Sequence, residues 1–352
     1  MKFKIKCVCL EKVTPLVISR GPITQGLNIF LQIFDGEHSG VGETVMPSEA
    51  SPQNAAKLMQ DISNFLEKID ILSPIKLWEL SRRADLPAIA IMIIDSAAWD
   101  LLAKKANMPL YQLLGLEKKD IKTSITVSIG KPDWVYERAK HLIKTFNPYF
   151  LKIKLGSNNG IEADQASFSA VKQAMLDMGQ EKHTQLFVDA NGGWDLKGAK
   201  HMLQWLHTHG AIYVEQPLKK GEESFLPELY QNRPLPIYVD ESIHFVSDIH
   251  PLLGCVDGVN LKLNKSGGIT EALRIHNIAR CFNLKCMIGC FSESPHAIAT
   301  ALSIGSLFDY VDLDSFLNLK ECDKVSKDNQ LTYQNGYLIQ SNKPGIGVIN
   351  AI

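Results

Sequence analysis

From Ile121 onward the chain repeats one local pattern: a short apolar run, a turn, then an amphipathic stretch. The runs are KTSITVS, YFLKIKLG, QLFVDANG, AIYVEQPL, PIYVDES, GVNLKLNK, CMIGCFSES and YVDLDS, which makes eight strands. Helical patterns lie between them. DLKGAKHMLQWLHTHG has Asp195 placed as its N-cap, and TEALRIHNIARCFN has Thr270 in that role. Eight strands alternating with helices specify an α/β chain folded as a (β/α)8 barrel. A doubly wound open sheet is the alternative, but no glycine-rich phosphate loop follows the first strand of the repeat.

The chain before this repeat behaves differently. MKFKIKCVCLEKV and NIFLQIFDGEHSGVGETV read as strands, the latter folding back at Asp35-Gly36, and helices are expected over about 51–68, 74–83 and 87–106. Strands followed by helices indicate an α+β unit. At the other end, TYQNGYLIQSNKPGIGVINAI reads as a hairpin and tail. The expected organisation is an α+β domain over 1–115, the barrel over 116–320, and a segment over 321–352 that returns toward the first domain.

Charge excludes some partners. Lys plus Arg number 37 and Asp plus Glu 38 in 352 residues, a net charge of -1, so the basic surface that nucleic acid and anionic membrane require is missing. The most apolar stretch, PAIAIMIIDSAAWDLLA, is interrupted by Asp95 and Asp100 and is too short to span a bilayer. The N-terminus alternates charged and apolar residues, as a strand does and a signal peptide does not. The seven cysteines (Cys7, Cys9, Cys255, Cys281, Cys286, Cys290 and Cys322) have no paired spacing and read as reduced. A soluble, cytoplasmic protein is expected.

Barrel strands carry chemistry where they end. In YFLKIKLG the side chains of Phe150, Lys152 and Lys154 share one face and Leu151, Ile153 and Leu155 the other. A solvated edge strand would explain two alternating lysines. The other strand ends argue against it, because they carry Thr126 and Ser128, Asp189 and Asn191, Glu215, Asp240, Lys262, Ser292 and Glu293, and Asp312 and Asp314. An interior filled for packing alone would use Val, Ile and Leu.

VDAN, VEQP and VDES each close an apolar strand with one carboxylate. A single such acid is often a helix N-cap. Three on successive strands repel: two carboxylates about 4 Å apart cost roughly 4 kcal/mol at an effective dielectric of 20. Such a group calls for a cation, and all-oxygen ligation favours a hard ion, Mg²⁺ over Ca²⁺ where few ligands leave room for water. Asp189, Glu215 and Asp240 are therefore the expected Mg²⁺ ligands. Lys262 lies four strands after Lys154, so the two face each other across the mouth. Lys152 and the metal beside Lys154 disfavour its ammonium form, which suits a general base. Lys265 is expected on the surface of the following loop.

The ordered motifs KIK (Lys152 to Lys154), DAN (Asp189 to Asn191), VEQP, VDES and KLNKSGG resemble the enolase superfamily, specifically its muconate-lactonising-enzyme subgroup. The resemblance runs along nearly the whole chain and makes the first domain a capping domain. It implies that a substrate carboxylate binds Mg²⁺ and that a lysine removes its α-proton. It further implies Lys154 and Lys262 as the two bases, with Lys152 assisting the carboxylate. The subgroup contains muconate cycloisomerases, o-succinylbenzoate synthases and dipeptide epimerases. VDLDS looks like the Asp-x-Asp pair with which dipeptide epimerases hold the substrate α-amine, here Asp312 and Asp314, and two carboxylates suit an ammonium far better than a second acid.

The expected activity is therefore epimerisation at the α-carbon of the C-terminal residue of a dipeptide. Cycloisomerase or lyase chemistry, and a binding protein that has kept the scaffold, are the alternatives. Thr126 matches a substrate-contacting threonine, Cys290 and Ser292 would line the pocket, Asn191 would support the metal site, and Glu293 would orient Lys262 or a neighbour. The loop VISRGPITQG, with turns at Gly21-Pro22 and Gly26, is expected to fold over the mouth as a lid. Arg20 within it resembles the arginine that pairs with a glutamate side chain in L-Ala-D/L-Glu epimerases. If Arg20 does so, the substrate is Ala-Glu, a peptidoglycan breakdown dipeptide; otherwise an apolar dipeptide is expected. Similar enzymes are dimers or octamers, so a homo-oligomer is expected.

Overall fold

The computed structural model describes residues 1–320, 325 and 331–347. The N-terminal domain opens with an antiparallel sheet of β1 (Lys2–Ile18), β2 (Gly21–Asp35) and β3 (His38–Val45) in that order. Three helices follow, α1 (Pro52–Leu66), α2 (Pro74–Arg83) and α3 (Ala88–Lys105), within two residues of their expected positions. Ser51 caps α1, its hydroxyl accepting from the Asn54 N–H. A helix apolar all round must be buried all round, and α3 lies between the sheet and the barrel.

The two acids that interrupt α3 are both satisfied. Asp95 accepts from the Thr270 N–H and hydroxyl at 3.0 and 2.5 Å, which ties the first domain to the barrel. Asp100 accepts from the Val41 N–H at 2.8 Å, the Ile346 N–H at 2.9 Å and the Lys104 ammonium at 2.6 Å. The helix that Thr270 was expected to cap begins instead after Gly268, with Thr270 in its first turn. Asp95 takes the threonine hydroxyl that a cap would have used.

A β1–β2 hairpin takes the place of the expected loop, and its tip lies over the barrel mouth. Its ladder continues through Leu16↔Ile23, Val17↔Pro22 and Ile18↔Gly21, leaving Ser19 and Arg20 as the turn. Gly26 marks no turn, because it pairs with Leu10 inside β2. β-Branched and aliphatic pairs extend the strands further than the glycines suggest.

The barrel strands are β5 (Ser124–Val127), β6 (Phe150–Lys154), β7 (Gln185–Asp189), β8 (Ala211–Glu215), β9 (Ile237–Val239), β10 (Gly258–Lys262), β11 (Lys285–Gly289) and β12 (Tyr310–Asp312). They are parallel and neighbour one another in chain order, with helices between them. The fold is a (β/α)8 barrel with an N-terminal α+β domain, and the open-sheet alternative falls. The expected first strand is divided: β4 (Ile121–Lys122) leaves the barrel to pair with β14 (Tyr337–Ile339) of the C-terminal hairpin, whose other strand is β13 (Thr332–Gln334). The tail then reaches the first domain, where the Leu110 N–H donates to the Gly345 carbonyl at 2.8 Å. Cys322 and the last five residues of the tail lie outside the described residues.

Side chains stack in layers inside the barrel because inward positions recur every two residues. Phe187, Tyr213, Tyr238, Met287 and Tyr310 form an apolar floor, with successive rings 4.5 and 4.6 Å apart from Phe187 to Tyr213 and from Tyr213 to Tyr238. Two residues after the four rings the side chains are ionic, Asp189, Glu215, Asp240 and Asp312, and two after Met287 is Gly289.

Gly40 and Gly42 let β3 lie directly on α3. A Cβ at Gly42 would stand 2.1 Å from the Ile93 carbonyl oxygen, which is helix backbone and cannot turn aside. Gly42→Ala is expected to destabilise the protein by about 1–3 kcal/mol through overpacking. Urea unfolding should show an earlier midpoint at unchanged slope, and an unchanged midpoint would contradict this packing.

Candidate active site

Parallel register brings the strand-end residues together. Lys154 pairs with Asp189 across β6–β7, and Asp189 with Glu215 across β7–β8. On the far side, Lys262 pairs with Gly289 and Gly289 with Asp312. The missing side chain at Gly289 leaves room for Lys262, whose Cε would stand 3.1 Å from a Cβ there.

Lys152 is wholly buried, and its Nζ lies 2.7 Å from Glu215 Oε2, 2.7 Å from Asp312 Oδ2 and 3.1 Å from Asp189 Oδ2. Burial alone would lower its proton affinity, but Asp312, Glu215 and Asp189 outweigh burial and hold it well above the ordinary lysine range. Lys154 Nζ lies 2.5 Å from the same Asp189 oxygen. Across the mouth, Lys262 Nζ lies 2.6 Å from Asp240 Oδ2 and 4.8 Å from the centre of the Phe291 ring.

The acids respond to these neighbours. Burial works to raise Asp189 and Asp240, yet Lys154 and Lys152 hold Asp189 below the usual carboxylate range, as Lys262 and Lys265 do for Asp240. Glu215, buried beside Asp189 with Lys152 opposing, is pushed up to about 7. Its Oε1 accepts from Asn260 Nδ2 at 2.7 Å, while Oε2 has the Lys152 ammonium. Among the described residues no three carboxylates converge on one point, because each is turned toward a lysine. The donor set fits a hard divalent cation all the same: three buried carboxylates on adjacent strands, oxygen throughout, and negative charge now balanced by ammonium groups alone.

Lys265 is not on the surface as expected. Its ammonium, buried beneath the mouth, pairs with the Asp240 carboxylate and carbonyl and donates to the Asn260 carbonyl at 2.8 Å. After Lys262 the chain turns directly into a one-turn helix, Leu263–Ser266, which swings Lys265 back under β9. Burial, with the Lys262 charge beside it, lowers its proton affinity against the pull of Asp240.

Other expected residues have mixed surroundings. Asp312 spends both oxygens within the barrel, Oδ1 on the Ser124 hydroxyl at 2.6 Å and Oδ2 on Lys152. Asp314 accepts from the Thr126 N–H at 2.7 Å and lines the cavity, and burial followed by the Asp312 charge pushes it up to about 6. Cys290 and Ser292 also line the cavity. Asn191 Nδ2 reaches Glu241 Oε1 at 3.5 Å, and its N–H donates to Asp189 at 2.8 Å. Glu293 makes no hydrogen bond to Lys262: its N–H donates to the Ser315 hydroxyl at 3.2 Å, and burial with Glu43 nearby pushes its carboxyl up to about 8.

Arg20 sits on the rim, Nη1 3.1 Å from Glu241 Oε1. The hairpin tip reaches four barrel loops. Val17 accepts from the Ile129 N–H at 3.0 Å, Ser19 donates to the Asn191 carbonyl at 2.9 Å, Arg20 meets Glu241, and the Thr14 N–H donates to Asn318 at 3.0 Å. Together they enclose a cavity of about 660 Å³ above the lysines. That is the size of a small-molecule site.

A second polar cluster was not expected. Glu43 on β3 is buried and accepts from Asn28 Nδ2 at 2.7 Å, the Ser294 hydroxyl and N–H at 2.5 and 2.9 Å, and the Ala297 N–H at 3.0 Å. It caps the helix Pro295–Leu302 from the other domain, and Asn28 also donates to the Ser292 carbonyl at 3.0 Å. An acid on the inward face of a strand was the one sequence signal available.

Opposed lysines over three strand-end acids at a barrel mouth, covered by an α+β domain, define the enolase-type scaffold. Two family descriptions match: Mandelate racemase / muconate lactonizing enzyme, N-terminal domain, over residues 2–115, and Enolase C-terminal domain-like, over residues 135–349. The chain belongs to the mandelate racemase and muconate lactonizing enzyme family of the enolase superfamily. A hydrophobic dipeptide epimerase of Roseobacter litoralis is 44% identical over 347 residues, covering 99% of this chain and 98% of that protein. An L-Ala-D/L-Glu epimerase of Bacteroides thetaiotaomicron is 30% identical over 88% of this chain and 78% of its own length. The solved dipeptide epimerase of Enterococcus faecalis, complexed with Mg and L-Leu-L-Tyr, superposes with a TM-score of 0.90 at 28% identity, covering 99% of each chain.

Removing one partner of a buried ion pair leaves the other charge stranded. Lys265→Met is expected to cost about 3–5 kcal/mol of stability for that reason. Denaturant melts would test it, and a loss under about 1 kcal/mol, the range of surface pairs, would return Lys265 to the surface.

Proposed function

We propose that this protein is a Mg²⁺-dependent dipeptide epimerase that inverts the α-carbon of the C-terminal residue. One observation carries the reading: Lys154 and Lys262 stand on opposite sides of the mouth, each on a carboxylate that flanks Glu215. Asp189, Glu215 and Asp240 are the residues that would hold Mg²⁺. The ion supplies Lewis-acid stabilisation of charge on the substrate carboxylate as the α-carbon loses its proton.

This chain's side chains do the rest. One lysine, as the free amine, takes the α-proton from one face and becomes an ammonium. The opposite lysine, as an ammonium, gives a proton to the other face and becomes an amine, so the proton count balances and the configuration inverts. Lys152 stays charged throughout and offers positive potential beside the substrate carboxylate. Asp314, with its backbone partner at Thr126, accepts the substrate ammonium at the far end. Asp312 assists from beneath, its carboxylate fixed by Ser124 and Lys152. The hairpin and loops exclude water once substrate is bound.

For specificity, an apolar C-terminal residue fits best. Ile18, Ile23, Val45, Met46, Ile89 and Phe291 all line the cavity, and the Roseobacter litoralis relative, matched along 99% of this chain, bears the name hydrophobic dipeptide epimerase. The second reading, Ala-Glu from peptidoglycan breakdown, rests on Arg20, which also lines the cavity. A glutamate side chain would have to take Arg20 from Glu241. The free cysteines among the described residues accord with a cytoplasmic setting.

Deuterium incorporation from D₂O tests the mechanism. Lys154→Ala and Lys262→Ala should each lower epimerisation by about 10³-fold or more, and each should abolish α-proton exchange from one enantiomer while the other enantiomer still exchanges. Loss of neither, or exchange persisting equally from both, would remove the two-base assignment. Chelation should abolish turnover in the wild-type protein, and Mg²⁺ should raise its Tm but not that of Asp240→Asn. A chelator-resistant enzyme would exclude the metal. For specificity, kcat/KM for L-Ala-L-Leu should exceed that for L-Ala-L-Glu by about tenfold or more, and the reverse order would make Arg20 the side-chain ligand.

A further inference from the structure

The four lysines of the barrel mouth each contact a carboxylate. A fifth, Lys12, does not. Inward positions on β1 alternate, so Leu10, Lys12 and Thr14 turn inward while Glu11 and Val13 are exposed. Lys12 falls where the β1–β2 ladder loses its register, between Glu11 and Leu16, and it is only 6% exposed. Its side chain lines the cavity beside Cys290, Asp314 and Asn318. Among the described residues no acid comes within ion-pair distance of it. A lysine this buried with no acid beside it is costly to desolvate, and a packing role at that position would be filled more cheaply by Leu or Met.

Lys12 lines the same cavity as Cys290 and Asp314. Burial lowers its proton affinity, and Cys290 and Asp314 oppose that. The Cys290 thiol is itself pushed up by burial and stays neutral, so Asp314 is the charge Lys12 senses. Arg138, half-buried, lines the same cavity and also senses Asp314. Two cations therefore flank the end of the cavity where Asp314 takes the substrate ammonium. The carbon bearing that ammonium also bears the side chain of the substrate's N-terminal residue, which must extend into the space that Lys12 and Arg138 border.

We propose that Lys12 forms a subsite for an acidic side chain on the N-terminal residue of the dipeptide, so that the enzyme accepts Glu or Asp there beside an apolar C-terminal residue. This rests on the dipeptide reading above. Charge-assisted hydrogen bonding from Lys12 offsets the cost of its burial, and Arg138 adds to the field. The peptide carbonyl is the other acceptor within this end of the cavity, and Lys12 bound to it would act on every dipeptide alike.

The test is kcat/KM for L-Glu-L-Leu, L-Gln-L-Leu and L-Ala-L-Leu with the wild-type protein, Lys12→Met and Lys12→Arg, each with Mg²⁺. The wild-type protein should prefer Glu-Leu over its uncharged isostere Gln-Leu by about tenfold. Lys12→Met should erase that ratio, mainly through KM, and Lys12→Arg should restore most of it. No wild-type preference overturns the proposal without any variant, and so does a uniform fall across all three substrates in Lys12→Met. If no dipeptide is epimerised at all, the parent reading fails with it; turnover of Ala-Leu with an unmoved Glu/Gln ratio overturns the subsite alone.

Discussion

The buried ammonium of Lys152 is the contact on which the barrel mouth depends. It joins β6 to β7 through Asp189, to β8 through Glu215 and to β12 through Asp312. The last of these matters for the fold as well as the site. Where β12 meets β5, side-chain bonds tie the seam: Ser124 to Asp312, the Leu313 N–H to the Thr123 hydroxyl at 2.8 Å, and the Thr126 N–H to Asp314. Lys152 pulls the same Asp312 toward β6. One residue thus holds the ring closed and fixes the spacing of three acids. Four acids (Asp189, Glu215, Asp240 and Asp312) meet four lysines (Lys152, Lys154, Lys262 and Lys265), so the group is close to neutral in a dry interior, where any single unpaired ion would be far less stable.

A neutral ionic layer of this kind needs apolar support on one side and controlled access on the other. The stacked floor of Phe187, Tyr213, Tyr238 and Tyr310 supplies the first. The N-terminal domain supplies the second, and it is bonded to the barrel at several separate points. Asp95 takes Thr270, Glu43 caps the helix after β11, and Asn264 accepts from the Thr44 hydroxyl at 2.5 Å and donates to the Val45 carbonyl at 3.1 Å. These bonds come from α3 and β3, not from the hairpin tip. The covering domain is held by buried hydrogen bonds where it meets the barrel helices and by fewer, more exposed contacts at the hairpin tip.

This division explains what the sequence made legible. Strand-end residues at barrel positions follow a period of two, so the inward direction of Lys152, Lys154, Asp189, Glu215 and Lys262 could be read from alternation once the eight strand ends were taken together. Asp195 as an N-cap was equally local, and its carboxylate accepts from the Gly198 N–H at 2.7 Å. Lys265 was misread because a strand period was assumed to end in loop, whereas helix begins immediately and turns the side chain inward. Thr270 was misread because its hydroxyl serves a residue 175 positions away. Glu43 and Asn28 had no local pattern to mark their partners. Lys12 had none either: it shares its strand parity with Lys2, Lys4 and Lys6, so alternation alone placed it on a solvated face, and only the cavity shows otherwise.

On the proposed function, the same division separates chemistry from selectivity along the chain. Every group in the ionic layer comes from the barrel, and most of the apolar wall, with Lys12 and Arg20, comes from the hairpin and its neighbours in the first domain. Selectivity set in this way can change without disturbing the ion pairs, since neither Lys12 nor Arg20 forms an ion pair with any of the four lysines or acids among the described residues. The converse does not hold. A substitution in the layer alters closure of the barrel, the balance of buried charge and the position of both proposed bases at once. Relatives named for hydrophobic dipeptides and for Ala-Glu both match most of this chain, which accords with the proposal that the wall outside that layer sets selectivity.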